Sequence, residues 1–288
     1  MIKNLCGLLL GILLIISCGP KGAMEEGNDL TLNTTIAIED LPVVGPINLK
    51  QTQMYSGNIL RSVIKTSISV AGEEQALSSV FIINLDEGNL YFVNDADSTY
   101  VKMAFAEFDS MLTAANFPYD DTTMAPLTLT KREIQRMESE KKVIGQFGEC
   151  TPVDFDLVLG SEGAAAPYQS SLSGRMWMSS SIENSSLFTD FQKKSFQMFQ
   201  SSLAANPGFF GLAGMVNLDE SWLKELNAAM TGIPVEADFE ISMPIDEETI
   251  SYGITLNLQD YLTADIDEGL LRVPDEYRQV DFSQFNMY

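Results

Sequence analysis

The stretch SVFIINLDEGNLYFVNDADSTYVKM, residues 79–103, contains three strand-like runs separated by two turn sequences. Its first run, SVFIINL at 79–85, is almost continuously apolar, which is typical of a strand buried on both faces. The segments DEGN at 86–89 and DADS at 95–98 consist mainly of residues that favour turns. The runs LYFVN and TYVKM follow these turns, so the stretch predicts a meander of short antiparallel strands.

Further strand-like runs lie on both sides of this meander, and three segments have helical patterns. The run SVIKTSISV at 62–70 alternates between apolar and polar residues, as a half-buried strand does. Apolar residues recur at helical spacing in 106–117, 184–206 and 218–230. Roughly nine strands and two or three helices predict an α+β domain, in which a strongly curved antiparallel sheet carries the helices on its concave face.

The N-terminus has the pattern of a secretory signal. Lys3 precedes an apolar run at 5–16 that is too short to span a bilayer. The run ends in IISC at 15–18, which resembles the lipobox of bacterial lipoproteins. This resemblance implies cleavage after Ser17 and acylation of Cys18. The alternative is an ordinary signal peptide with an incidental cysteine.

The chain is therefore divided into three parts. Residues 1–17 are predicted to be a signal peptide of the lipoprotein type, and residues 18–40 the lipidated cysteine with a flexible tether. Residues 41–288 are predicted to form a single folded domain. Acyl chains on Cys18 place the protein in the bacterial cell envelope, held at the outer membrane on its periplasmic or surface side.

The composition argues against several classes of function. The chain has 40 acidic and 17 basic residues and a formal net charge of −23, so it repels phosphate backbones and is not expected to bind nucleic acid. It contains no histidine, which removes the commonest general base and imidazole metal ligands. We predict that the protein is not an enzyme and holds no cofactor or metal. Cys150 is interpreted as a small buried residue rather than a reactive thiol.

Five segments together resemble one family of uncharacterised bacterial exported proteins. They are FIINLDEGNLYFVNDADSTYVKM (81–103), KKVIGQFGEC (141–150), GRMWMSSSI (174–182), TGIPVEADFEI (231–241) and VPDEYRQV (273–280). That family is similar in architecture to the lipoprotein-localisation carriers, which are called LolA-like and LolB-like. The resemblance implies an open β half-barrel with helices as a lid and an apolar cavity for acyl chains.

The leading hypothesis is a non-enzymatic, lipid-anchored envelope protein that binds an acyl chain or another lipoprotein. The candidate cavity or lid residues are aromatic: Trp177, Phe188, Phe191, Phe199, Phe209 and Phe210. For each of them the alternative is ordinary core packing. A second hypothesis is a structural or interaction lipoprotein with a filled core and a protein partner. A third is a hydrolase that uses carboxylates alone.

Overall fold

The computed structural model describes residues 29–39, 45–70, 73–108, 128–160, 170–205, 225–226, 228–245 and 248–285. The predicted cleavage site at Ser17 and Cys18 lies outside these residues, as do Phe209 and Phe210. Most of the helices predicted at 106–117 and 218–230 also lie outside them. Within those two ranges, the described residues 106–108, 225–226 and 228–229 are helical.

The described residues form one sheet of thirteen strands and one long helix. The strands are Leu30–Ile38 (β1), Ile47–Ser56 (β2), Ile59–Val70 (β3), Glu73–Asn84 (β4), Asn89–Asn94 (β5), Thr99–Ala104 (β6), Thr128–Arg136 (β7), Lys142–Val143 (β8), Glu149–Gly160 (β9), Ser170–Ser179 (β10), Ile233–Ile245 (β11), Glu248–Thr263 (β12) and Arg278–Gln279 (β13). The helix is Ser185–Ala205 (α1), and short 3-10 helices lie at Gly145–Phe147, Glu268–Leu271 and Phe282–Gln284.

The spatial order of the strands corrects the predicted fold class. It runs β13-β6-β5-β4-β3-β2-β1-β12-β11-β10-β9-β7, with β8 paired to β9, and the sheet does not close. It is mixed, because β13 runs parallel to β6 while the other pairs are antiparallel. The prediction of an α+β half-barrel with two or three helices is wrong: the described chain is nearly all-β. Local patterns underestimated both the number and the length of the strands. Thirteen strands are present, and β12 alone has 16 residues.

Strand β1 explains why the two halves of the chain form one sheet. Its residues alternate between buried and half-buried positions along Leu30–Ile38. It is hydrogen-bonded to β2 on one side and to β12 on the other. Residues 30–38, which fall within the tether predicted at 18–40, therefore form a central strand of the sheet.

The meander and the best-defined helix are confirmed. Strands β4, β5 and β6 pair in sequence, and Phe81 lies opposite Phe92, which lies opposite Val101. The buried Val80 and Ile82 alternate with Phe81 and Ile83, so β4 is covered on both faces. Helix α1 coincides with the range predicted at 184–206 to within one residue at each end.

The two faces of the sheet are covered by different parts of the chain. We call the face against which α1 packs the inner face, and the opposite one the outer face. On the outer face, Val80, Ile82 and Val93 are covered by Val273 and Tyr277 from the C-terminal segment.

No helix among the described residues has the length and hydropathy needed to span a membrane.

Candidate functional site

The inner face carries two apolar clusters, which meet along β1. Leu30 and Leu32 belong to one of them, which we call the lower cluster. Ile36 and Ile38 belong to the other, the upper cluster. Thr34, also buried, lies between them. Because alternate residues of a strand share one face, the two clusters are consecutive areas of the same surface.

A polar pair continues the boundary at Thr34 across the neighbouring strands. Gln51 on β2 and Ser62 on β3 are both buried, and the Gln51 Nε2 donates a hydrogen bond to the Ser62 Oγ at 3.0 Å. A buried amide needs such a partner, because leaving it unpaired costs free energy. This polar boundary separates the upper from the lower cluster.

Helix α1 covers the lower cluster. Phe188 and Phe191 each meet the ring of Tyr55 edge-on, with centroids 5.5 Å apart. The Tyr55 hydroxyl accepts a hydrogen bond from the Gln192 Nε2 at 3.2 Å. Every polar atom of this contact is therefore paired, and the lower cluster is a structural core.

The upper cluster is built almost entirely from the sheet. Its buried members are Ile36, Ile38, Ile47, Leu49, Ile64, Val153, Phe155, Met176, Met178, Ala237, Phe239, Ile241, Tyr252, Ile254 and Leu256, together with Leu226, Ala229 and Met230 from outside the sheet. All these side chains except that of Tyr252 lack polar groups capable of a strong hydrogen bond. The upper cluster is thus a broad, buried apolar cluster whose members carry a single hydroxyl.

Arg136 on β7 fixes the segment that contacts the upper cluster from outside the sheet. Its Nη1 donates to the carbonyl oxygens of Ala229 and Thr231, at 3.1 and 3.0 Å. Its Nε lies 2.8 Å from the Glu138 carboxylate. A guanidinium that binds the last carbonyls of a helical segment satisfies acceptors that have no intrahelical partner.

The hydroxyl of Tyr252 is the unusual group of this surface. Tyr252 is 3% exposed, and among the described residues its Oη is the buried side-chain polar atom without a hydrogen-bond partner. Burial raises the pKa of Tyr252, so the phenol stays protonated and remains a hydrogen-bond donor. Sequence reasoning missed this residue, because a tyrosine at an apolar position of a strand normally indicates core packing.

The predicted site residues whose side chains the structure describes lie at the lower cluster. Phe188 and Phe191 lie in the lower cluster. Phe199 lies on α1, with its side chain outside the described residues. Trp177 is partly buried and packs against the lower cluster, whereas its neighbours Met176 and Met178 belong to the upper cluster. Three of the six aromatic side chains, those of Trp177, Phe188 and Phe191, therefore lie at the lower cluster.

Trp177 also contacts a network of charged residues. The Lys142 Nζ lies 4.0 Å from the centre of the Trp177 ring and 2.8 Å from the Glu236 carboxylate. Arg175 binds both carboxylate oxygens of Asp154, at 2.6 and 2.7 Å. These carboxylates are engaged in ion pairs, which is not the arrangement of a carboxylate acid–base pair facing a cleft.

The thiol of Cys150 lies in a buried environment. Cys150 is fully buried, and burial raises the pKa of its thiol, which disfavours the nucleophilic thiolate. Within the described ranges there is no group of three or more acidic, cysteine or histidine side chains placed to hold a metal ion.

Comparison with known proteins finds distant likeness in structure alone. No family model matches the chain, and no curated protein does. One similar solved structure is a DUF1329 family protein from Desulfovibrio piger, at 9% identity and a TM-score of 0.21, covering 93% of this chain and 97% of that one. Another is a porin-like protein from Bacteroides uniformis, at 9% identity and a TM-score of 0.26, covering 82% of this chain and 98% of that one. The LolA-like resemblance is not confirmed.

Proposed function

We propose that this protein is a lipid-anchored protein of the bacterial envelope that binds an acyl chain against the upper cluster and catalyses no reaction. The anchor is the acylated Cys18, and the cargo is a lipid or the acyl chains of another lipoprotein. The outer membrane is the proposed location.

The upper cluster is the observation that carries this proposal. Strands β1–β3 and β9–β12 contribute aliphatic, aromatic and methionine side chains to one continuous buried cluster. Sites for small ligands are mostly apolar, with few polar groups. Burying a chain of methylenes there would contribute about 25 cal/mol for each Å² of apolar area removed from water.

A second candidate is an interaction lipoprotein with a filled core. The observation in its favour is the low exposure of the upper cluster, whose buried members are all at most 9% exposed. In that case the acidic surface, with its net charge of −23, would bind a protein partner. The two candidates differ in whether the protein takes up lipid.

The anchor can be tested at the predicted acylation site. Replacing Cys18 with serine should move the protein from the membrane fraction to the soluble fraction and remove the mass of the acyl chains. Each buried methylene contributes about 0.8 kcal/mol, so two or more chains hold the protein stably. The measurement is fractionation with intact-mass analysis. Cys6→Ser is the matched control, because Cys6 lies within the predicted signal peptide, and a Cys18→Ser protein that stays in the membrane fraction would argue against the anchor.

The cargo can be tested on the soluble Cys18→Ser protein. Purified from bacterial cells without detergent, it should retain extra mass in native mass spectrometry, and this mass should extract into organic solvent as lipid. Added methyl dodecanoate or phospholipid should also bind. A clean mass with no uptake of either would contradict the acyl-chain proposal and favour the interaction lipoprotein.

A further inference from the structure

The position of Tyr252 gives its unpaired hydroxyl a place within the proposed site. Tyr252 lies opposite Ile241 on β11 and two residues before Ile254, which lies opposite Ile38 at the end of β1. It therefore lies at the end of the upper cluster that is farthest from the polar boundary at Thr34. A ligand chain on the upper cluster would extend from Tyr252 towards that boundary.

The neighbours of Tyr252 supply no acceptor. The other buried members of the upper cluster are apolar, and the structure gives the hydroxyl no partner. A buried donor without an acceptor loses the hydrogen bond that it made to water in the unfolded chain. The inner face also holds the buried tyrosine hydroxyl of Tyr55, which accepts a hydrogen bond from Gln192.

We infer that the Tyr252 hydroxyl donates a hydrogen bond to the carbonyl oxygen of a neutral acyl ester whose hydrocarbon chain lies on the upper cluster. This inference rests on the proposed function and specifies the ligand class. It makes Tyr252 a specificity-determining residue, which distinguishes an acyl group from a plain hydrocarbon.

The charges of the site favour a neutral acceptor over a carboxylate. Burial raises the pKa of Tyr252, and no charged group contributes to that shift. The guanidinium of Arg136, which contacts the segment containing Ala229, is occupied by the carbonyl oxygens of Ala229 and Thr231 and by Glu138. A buried carboxylate without a neighbouring cation is unfavourable. The carbonyl oxygen of an ester is neutral, so a single hydrogen-bond donor satisfies it.

The experiment compares two probes of equal chain length, methyl dodecanoate and dodecane, on the full chain carrying Cys18→Ser. Each probe displaces the fluorescent apolar dye N-phenyl-1-naphthylamine, and the affinities are measured for this protein and for its Tyr252→Phe variant. We expect Tyr252→Phe to weaken the affinity for methyl dodecanoate about fivefold to tenfold, because one hydrogen bond is lost. The affinity for dodecane should be unchanged. Tyr55→Phe, the matched control, should change neither affinity.

Thermal unfolding of the ligand-free protein supplies a second readout. Tyr252→Phe removes an unpaired hydroxyl, so its melting temperature should be unchanged or higher, whereas Tyr55→Phe breaks a buried hydrogen bond and should lower it. A lower melting temperature for Tyr252→Phe would show a partner within the protein and overturn the inference.

The possible results separate this inference from the proposed function. If the unaltered site binds both probes and Tyr252→Phe leaves both affinities unchanged, the role of Tyr252 is overturned and acyl-chain binding stands. If neither probe displaces the dye, the proposed function fails, and the inference fails with it.

Discussion

Replacing Gly174 with alanine should lower the free energy of unfolding by roughly 3–6 kcal/mol, the sum of backbone strain and overpacking. Gly174 has a φ of +153°, and a Cβ built there would lie 2.1 Å from the carbonyl oxygen of Asp238 and 2.7 Å from the Cα of Phe239. Both are backbone atoms of β11, so relief requires the two strands to separate. Chemical denaturation monitored by tryptophan fluorescence measures the effect.

The close approach of β10 and β11 at Gly174 is explained by the packing of two aromatic rings. Gly174 on β10 lies opposite Phe155 on β9 and Phe239 on β11. The two rings meet edge-on with centroids 5.5 Å apart, which they do across a position that has no side chain. Their contact belongs to the upper cluster, so the substitution should disturb the proposed binding surface as well as the sheet.

Gly253→Ala is the matched control for this prediction. Gly253 also lies within a strand, β12, but a Cβ added to it would have no atom within 4 Å. Removing glycine from a compatible position stabilises a protein by about 0.4–1 kcal/mol. Equal stability of the two alanine variants would contradict the close approach of β10 and β11 at Gly174.

Replacing Phe191 with alanine should cost about 4 kcal/mol, within the range for large core aromatics. Phe191 is 1% exposed and contacts Tyr55 edge-on, an arrangement that contributes about 0.5–1.5 kcal/mol beyond area burial. The variant should therefore melt well below the parent protein in calorimetry. Its affinity for an acyl probe should change little, because Phe191 belongs to the lower cluster.

Phe282→Ala controls for the loss of a phenyl ring as such. Phe282 is 40% exposed, with its ring 6.3 Å from that of Phe92, and its removal should cost about 1 kcal/mol or less. If Phe191→Ala instead weakened probe binding with little loss of stability, Phe191 would act as a lid residue, as the sequence predicts, and α1 would not be part of the structural core.

The sequence predicted best where the signal was local. The meander at 79–103 follows from turn residues at fixed intervals and from the apolar run that becomes β4. Helix α1 follows from apolar residues at helical spacing. These patterns act over a few residues, so they survive in any tertiary context that buries their apolar side.

The fold class could not be predicted in the same way. Strand β1 has the alternation of a strand, yet its central place depends on pairing with β12, more than 200 residues away, as between Leu30 and Thr263. The parallel pairing of β13 with β6 also joins residues that are far apart in the chain, such as Arg278 and Thr99. Such pairings carry no local signature, because the backbone groups that form them are the same in every residue.

The same division applies to the candidate site. The alternation along β10 predicts that Trp177 faces away from Met176 and Met178, but the pairing of β10 with β11 is irregular between Trp177 and Met178, and the packing of the sheet decided that Trp177 contacts the lower cluster while the methionines join the upper cluster. The sequence by itself determined the meander at 79–103, the long helix and the strong negative charge, since each depends on neighbouring residues or on composition. Tertiary structure alone decided that Tyr252 is buried without a partner and that two rings meet over Gly174, because both depend on atoms brought together by distant strands.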